Sequence, residues 1–435
     1  MIHVCTFEIK HFVRTPSKVV SFLLFFFACI YSLYNGFDIQ QEHEKIITRI
    51  QAEQAEETNR VLTWFKKGEK GPTDREWVDI HEPYWSLRYT PTYTIKEPSV
   101  LLPLGIGQTE QYGYYKEVSF WSSTYDNDMV EEIANPERLV QGNIDFSFLV
   151  IYLLPLLLLI LTYNIGGLER DKQFKKLITI QFGSIPKWLG IRFAFYVALL
   201  LFTVVSFVLG VALINNGLNL FSAELGSLLV LATGYTLFFS ALFFLVLLYD
   251  SGSSTHAFQM IGIWLLLCVI IPGTVHQYAS IQVPANYMTD FLDTNRKETY
   301  ATYALSSDVL REKLQSVYPD IVHTKHGKEE EKEDKIVRRS IGAIVNDMNK
   351  TAVEQIEQRN EVKNEIIRSS YWYNPVSFVQ NQWNACTSSD YYAFQQYRQH
   401  VQRAIDNRIQ LLVFDTWNQK MVDEDTYKKY IQQLK

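Results

Sequence analysis

Apolar residues along the chain fall into long, uninterrupted runs that strongly polar blocks separate. Five of these runs approach the ~20 residues with which a helix crosses a bilayer. Hardly a charge lies inside them, and a charged side chain at the bilayer centre costs several kcal/mol. The pattern therefore predicts a mainly α-helical, polytopic membrane protein. The predicted spans are residues 19–37, 146–165, 188–214, 225–249 and 257–272.

Two large polar blocks lie between and after these spans. Residues 38–145 begin with a helical pattern and then become aromatic and rich in Pro and Gly, which indicates irregular or short-strand structure. Residues 273–435 predict a helical domain, with long amphipathic helices at 287–317, 335–370 and 390–419. We therefore expect one mixed and one helical insertion outside the membrane.

Basic residues near the span ends predict the orientation, because cytoplasmic loops carry an excess of Lys and Arg. The segment before the first span (residues 1–18) and the loop between the second and third spans (residues 166–187) are both basic, whereas the turn after the third span has no Lys or Arg. The N-terminus and this loop are thus predicted to be cytoplasmic, and both large blocks extracytoplasmic. Arg192, at the start of the third span, is interpreted as an anchor that extends to the membrane surface.

The loop after the second span combines an apolar stripe with many charges. Leu168, Phe174 and Leu177 can share one face of a short helix, with charged residues opposite. Those charged residues are Glu169, Arg170, Asp171, Lys172, Lys175 and Lys176. Such a helix can lie in the headgroup layer with its stripe buried, or it can dock on a cytoplasmic protein. The acidic residues favour docking, because they are unfavourable next to anionic lipids.

Three further features allow more than one interpretation. Pro155 is either a hinge or an ordinary proline of a membrane helix. Gly166 and Gly167 are either a helix end or a pivot. Aromatic residues cluster in the second polar block, where they either bind a substrate or pack the domain and the membrane interface: Tyr371, Trp372, Tyr373, Tyr391 and Tyr392.

The sequence predicts no catalytic, cofactor or metal site. It contains no GxxxxGK[ST] phosphate-binding loop, and His276 and His323 lack metal-ligand spacing. The four cysteines form neither a CxxC motif nor a plausible disulfide pair. We therefore expect that the chain is not an enzyme and binds no cofactor, and we expect no nucleic-acid partner.

Three stretches of the chain resemble the ABC-2-type transporter permeases, in the branch with large extracytoplasmic insertions. In these permeases a span ends in a turn with Gly and Glu, and a basic helix, a small-residue or Pro break and a basic residue follow. The three stretches are NPERLVQGNIDFSFLVIYLLPLLLLILTYNIGGLERDKQFKKLITIQFGSIPKWLGIRF, SGSSTHAFQMIGIWLLLCVIIPGTVH and NPVSFVQNQWNACTSSDYYAFQQYRQHVQRA.

This resemblance implies a permease subunit that pairs with a second permease chain, identical or homologous, in the inner membrane of a bacterium. ATP and Mg would bind to a separate cytoplasmic ATPase, and export would be the direction of transport. The resemblance also implies a sixth span beyond residue 435 and leaves room for an extracytoplasmic partner. The alternative function is a membrane-anchored interaction or signalling module, whose outer domains bind a partner protein without translocating a substrate.

The resemblance also assigns residues to two cytoplasmic elements. Coupling to the ATPase would involve Glu169, Arg170, Asp171, Lys172, Phe174, Lys175, Lys176 and Leu177. The interfacial helix before the first span would include Phe7, Glu8, Lys10, Phe12 and Arg14.

Overall fold

The structure is a computed structural model that describes most of the chain and is mainly helical. The described residues are 2–125, 129, 144–167, 169, 174–216, 222–249, 252–284, 297–329 and 333–434.

The chain begins with two helices, α1 (Ile2–Arg14) and the much longer α2 (Pro16–Lys67). Pro16 starts α2, because its missing N–H and fixed φ suit the first turn of a helix. With 52 residues at 1.5 Å per residue, α2 is about 78 Å long, more than twice the hydrocarbon thickness of a bilayer. The predicted first span and the helical pattern after it are therefore one element. We call residues 38–67 of α2 the stalk.

The rest of the first polar block is short, mixed structure. It contains helix α3 (Pro83–Arg88), a 3₁₀ turn (Leu102–Leu104) and strands β1 (Tyr93–Ile95) and β2 (Tyr115–Glu117). The two strands pair antiparallel, with Thr94 opposite Lys116. Strands of three residues need support from other elements, and here the stalk and the second polar block supply it.

The remaining apolar runs form a bundle with α2. Its helices are α4 (Phe146–Thr162), α5 (Lys175–Phe182), α6 (Ile185–Asn216), α7 (Ala223–Leu248) and α8 (Ser253–Gln282). Four helices, α2, α6, α7 and α8, are long and apolar enough to cross a membrane, and α4 is a shorter apolar helix at the second predicted span. The prediction of a helical membrane protein is confirmed at this level.

The second polar block is helical, with more and shorter helices than predicted. They are α9 (Ser307–Val317), α10 (Lys325–Lys328), α11 (Asp334–Arg339), α12 (Ile341–Ser369), α13 (Pro375–Cys386), α14 (Tyr391–Trp417) and α15 (Glu424–Gln433). The helix predicted at 335–370 is interrupted at Ser340, and that predicted at 287–317 falls partly outside the described residues.

Buried apolar residues hold the outer elements on the bundle and on the stalk. The core of the bundle includes Trp383 of α13, whose Nε1 donates to the Leu104 carbonyl at 2.7 Å. At Gly36, α2 passes so close to the 3₁₀ turn that an added Cβ would lie 2.6 Å from the Pro103 Cα. A second core joins Val61 of the stalk to α14 and α15. We call the described parts of residues 68–145 and 283–434 the outer domain. The bundle, the stalk and the outer domain thus form one packed body.

Candidate functional site

Four charged side chains meet inside one end of the bundle, where α1, α2, α6 and the turn after α4 come together. We call these residues, Glu8, Lys18, Glu169 and Arg192, together with Tyr196, which hydrogen-bonds to Glu8 and Lys18, the charged cluster. Glu8 is fully buried and Arg192 is only 3% exposed. Charged side chains are rarely buried to this extent unless they are paired.

The charged cluster is connected throughout by hydrogen bonds. The Nε of Arg192 donates to Glu8, and its Nη1 donates to Glu169 Oε1 at 2.7 Å. The Tyr196 hydroxyl donates to the second Glu8 oxygen at 2.9 Å and accepts from Lys18 Nζ at 3.1 Å. Two positive and two negative charges therefore balance inside the protein, and the contacts join α6 to α1, to α2 and to the turn after α4.

Aromatic rings complete the surroundings of Arg192. Its guanidinium lies 4.6 Å from the Trp188 ring centroid and 5.4 Å from that of Phe7, at distances typical of cation–π contacts. The interpretation of Arg192 as an anchor at the membrane surface is therefore wrong: two carboxylates and two rings hold the side chain inside the protein. Loss of one carboxylate would leave an uncompensated buried charge, which is strongly destabilising.

Helix α1 is fixed through Glu8 and Phe12 and exposes its other face. Phe12 packs edge-on against Phe22 and Tyr196, with ring centroids 5.9 and 6.3 Å apart. Phe7, Lys10 and Arg14 are exposed, together with the apolar side chains of Ile9 and Val13. Burial lowers the pKa of His11, on the same helix, although Glu8 partly opposes this effect.

Helix α5 and Phe174, the residue that precedes it, present an exposed apolar ridge next to the charged cluster. Phe174, Leu177 and Ile180 recur every three residues, so they share one face, and all three are exposed. Ile180 is 82% exposed. The Phe174 N–H donates to the Glu169 carbonyl at 2.8 Å, which ties the start of α5 to the residue that pairs with Arg192.

The predicted coupling residues thus divide into three groups. Phe174 and Leu177 are exposed, whereas Glu169 points inward to Arg192. Lys175 and Lys176 start α5, and only their backbone is described. Leu168, Arg170, Asp171 and Lys172 lie outside the described residues.

The predicted hinge residues lie at two places: Pro155 is within α4, and Gly166 and Gly167 follow the end of this helix. Pro155 lies just after a π-helical turn, Leu149–Leu153, with Leu154 between them. Gly166 has φ +78°, a conformation that suits glycine, and a Cβ on Gly167 would lie 2.3 Å from the Ser253 Oγ. The two glycines therefore form a tight turn against the start of α8.

Sequence reasoning missed Lys18 and Tyr196 as members of the charged cluster. A usable signal was the spacing of Arg192 and Tyr196, four residues apart at the start of an apolar helix, which places both on one face. Their partners lie on separate elements, so periodicity along one helix does not identify them.

Comparison with known proteins adds no further assignment to this geometry. No family model, no curated protein and no solved structure matches the chain. The interpretation of the site therefore depends on its own contacts and on the sequence resemblance described above.

Proposed function

We propose that the chain is the permease subunit of an ATP-driven transporter, and that a separate cytoplasmic ATPase docks on α1 and α5. The observation that carries this proposal is the buried charged cluster, which fixes both of these short helices to the bundle while their apolar residues remain exposed. A docking element that transmits force needs both properties, an accessible face and a rigid connection.

The exposed ridge of α5 provides the accessible face. Phe174, Leu177 and Ile180 are apolar and exposed, and basic residues precede and follow them. A helix of this kind can also rest in the lipid headgroup layer. Docking is the better account because α5 is short and is held to the inward-facing Glu169 through its first residues.

The connection between α5 and the bundle runs through Arg192. Glu169, just before α5, pairs with Arg192 on α6, and Arg192 also pairs with Glu8 on α1. Lys18, at the start of α2, joins the same network through Tyr196. Movement of α5 by an ATPase would therefore reach α1, α2 and α6 together.

Helix α2 supplies a path from this end of the bundle to the outer domain. It is continuous from Pro16 to Lys67, so displacement of its first turn would displace the stalk as well. The proposal includes a second permease chain across the membrane, export as the direction of transport and a bacterial inner membrane as the location. These parts follow from the sequence resemblance alone.

Site-specific photo-crosslinking in the native host tests the docking. A photoreactive residue at Ile180 should crosslink to a protein that carries a phosphate-binding loop, identified by mass spectrometry. The same residue at Phe202, an exposed apolar position in the middle of α6, should crosslink only to lipid or membrane protein. Crosslinks from Ile180 to lipid alone would contradict the proposal.

The membrane-anchored interaction module remains the second candidate. The tight packing of the outer domain on the stalk and the bundle favours this candidate. A domain that is held rigidly can bind a partner protein without any movement of the bundle. The same crosslinking experiment separates the two, because an interaction module needs no ATPase at Ile180.

A further inference from the structure

A cavity of about 240 Å³ lies where the outer domain meets the bundle. Its walls come from α8, α12, α13, the first turn of α14 and the loop after the 3₁₀ turn. Pockets for drug-sized ligands measure about 300–1,000 Å³, and a single water needs only about 10–15 Å³. The cavity therefore suits a compact ligand.

Three amide side chains around this cavity have buried atoms without hydrogen-bond partners among the described residues. They are Gln108 Oε1, Asn384 Oδ1 and Asn364 Nδ2. The Asn364 amide approaches the Tyr392 hydroxyl but lies outside hydrogen-bond geometry. An unpaired buried polar group costs about 1–3 kcal/mol, and all three belong to residues that line the cavity, so rotation of these amides toward a bound ligand would pair them.

The chemistry of these groups favours a hydroxyl-rich ligand. Each amide offers a donor and an acceptor side by side, and a hydroxyl group both donates and accepts. The charged side chains at the cavity are already engaged: Arg368 pairs with Glu361, and both Asp390 oxygens accept from backbone N–H groups of α14. A net charge on the ligand is therefore not required.

Aromatic rings in the wall are held in place and offer flat apolar faces. The Tyr391 hydroxyl donates to Glu357, and the Tyr392 ring lies 4.5 Å from the Arg368 guanidinium. The Tyr371 hydroxyl accepts from Asn381 at 2.7 Å. Fixed rings beside amide groups suit a sugar or polyol, which has apolar C–H faces and a rim of hydroxyls.

We infer that this cavity binds a compact, hydroxyl-rich group such as a sugar or polyol, with Gln108, Asn364 and Asn384 as its hydrogen-bonding residues. The group belongs either to a free molecule or to the headgroup of a lipid. His276 of α8 contributes to the wall, so the cavity borders a helix that is long and apolar enough to cross a membrane. This inference goes beyond the proposed function and does not depend on an ATPase.

Binding to the full chain in phosphatidylcholine nanodiscs tests the inference. The probes are D-glucose and glycerol in solution, inorganic phosphate as a charged comparison, and nanodiscs that contain glucosyl-diacylglycerol. Saturation-transfer NMR measures the free probes, and the shift of the unfolding temperature measures the lipid. Binding of glucose or glycerol, or stabilisation by the glycolipid, supports the inference and identifies the source of the group.

Two near-isosteric variants assign the binding to the cavity. Asn384→Leu and Gln108→Met should each weaken binding of the probe about tenfold, because each removes one buried hydrogen bond to it. Neither should lower the unfolding temperature of the unliganded chain, because the buried oxygen that each variant removes has no hydrogen-bond partner among the described residues. Gln399→Met, at an exposed position of α14, is the matched control and should bind as the unchanged protein does.

Three results would overturn the inference. The first is that no hydroxyl-bearing probe binds. The second is that inorganic phosphate competes with glucose at the same site. The third is that Asn384→Leu and Gln108→Met destabilise the unliganded chain while binding is unchanged, which would give these amides a purely structural role.

Discussion

At the scale of single residues, buried ion pairs occur in both the bundle and the outer domain. Glu8 and Arg192 form one such pair. In the outer domain, the Arg398 Nε donates to Glu357 at 2.8 Å. Burial raises the pKa of Glu357, but the charge of Arg398 and hydrogen bonds from Arg398, Tyr391 and Tyr125 outweigh it and hold the pKa below its usual value. Both pairs fix the relative positions of separate elements.

The Glu8→Gln variant tests the structural weight of the charged cluster. It keeps the size of the side chain but leaves Arg192 with a single carboxylate partner, so we expect a loss of about 2–4 kcal/mol in the free energy of unfolding. The control is Glu57→Gln, which breaks the exposed pair with Arg60 on the stalk and should change stability by less than about 1 kcal/mol. Equal effects of the two variants would show that the charged cluster is not a structural link.

At the end of the bundle that carries α1 and α5, sequence patterns drew attention to the exposed residues and not to the buried ones. Phe174 and Leu177 stood out because apolar residues on a charged loop are conspicuous. Glu8 and Arg192 looked like surface charges, because their contact joins positions 184 residues apart. Local patterns carry no information about such a partner.

At the scale of elements, two apolar helices of the bundle, α4 and α8, share one irregularity. A π-helical turn precedes Pro155 in α4, and another, Leu266–Ile270, precedes Pro272 in α8. Proline has no N–H, so in a regular helix the carbonyl four residues earlier loses its partner. For Pro155 this carbonyl belongs to Ile151, and the Tyr235 hydroxyl of α7 donates to it at 2.6 Å. The proline is thus accommodated by a neighbouring helix.

The Tyr235→Phe variant tests this accommodation. It removes only the hydroxyl, so the Ile151 carbonyl is left without this donor inside the bundle, and we expect a loss of about 1–2 kcal/mol in the free energy of unfolding. Tyr249→Phe, at an exposed residue that caps the end of α7, is the control and should have little effect. If both variants are as stable as the unchanged protein, the hydroxyl does not compensate for Pro155.

The length of α2 illustrates what element-scale patterns omit. Apolar composition predicted the membrane segment, and a helical pattern predicted the part that follows it. Composition changes from apolar to polar near residue 38, whereas the helix itself continues to Lys67. No proline lies within that stretch to break it, and the left-handed Gly68 ends it.

At the scale of the whole molecule, the outer domain is attached to the bundle at two separate places. One is the contact of Trp383 and Leu104 above the bundle core, and the other is the packing of α14 and α15 on the far end of the stalk. The charged cluster lies at the opposite end of α2. A displacement of α5 would therefore shift or tilt the stalk, and the outer domain would move with it.

ATP hydrolysis by the assembled complex tests the central claim most directly. The ATPase that crosslinks at Ile180 is purified and its rate of ATP hydrolysis is measured with the unchanged chain, with Ile180→Glu, and with Met421→Glu as a control at an exposed apolar residue of the outer domain. We predict that the unchanged chain and Met421→Glu stimulate hydrolysis, and that Ile180→Glu lowers the stimulation at least tenfold without loss of folding. Equal stimulation by all three chains, or none by any, would contradict the account.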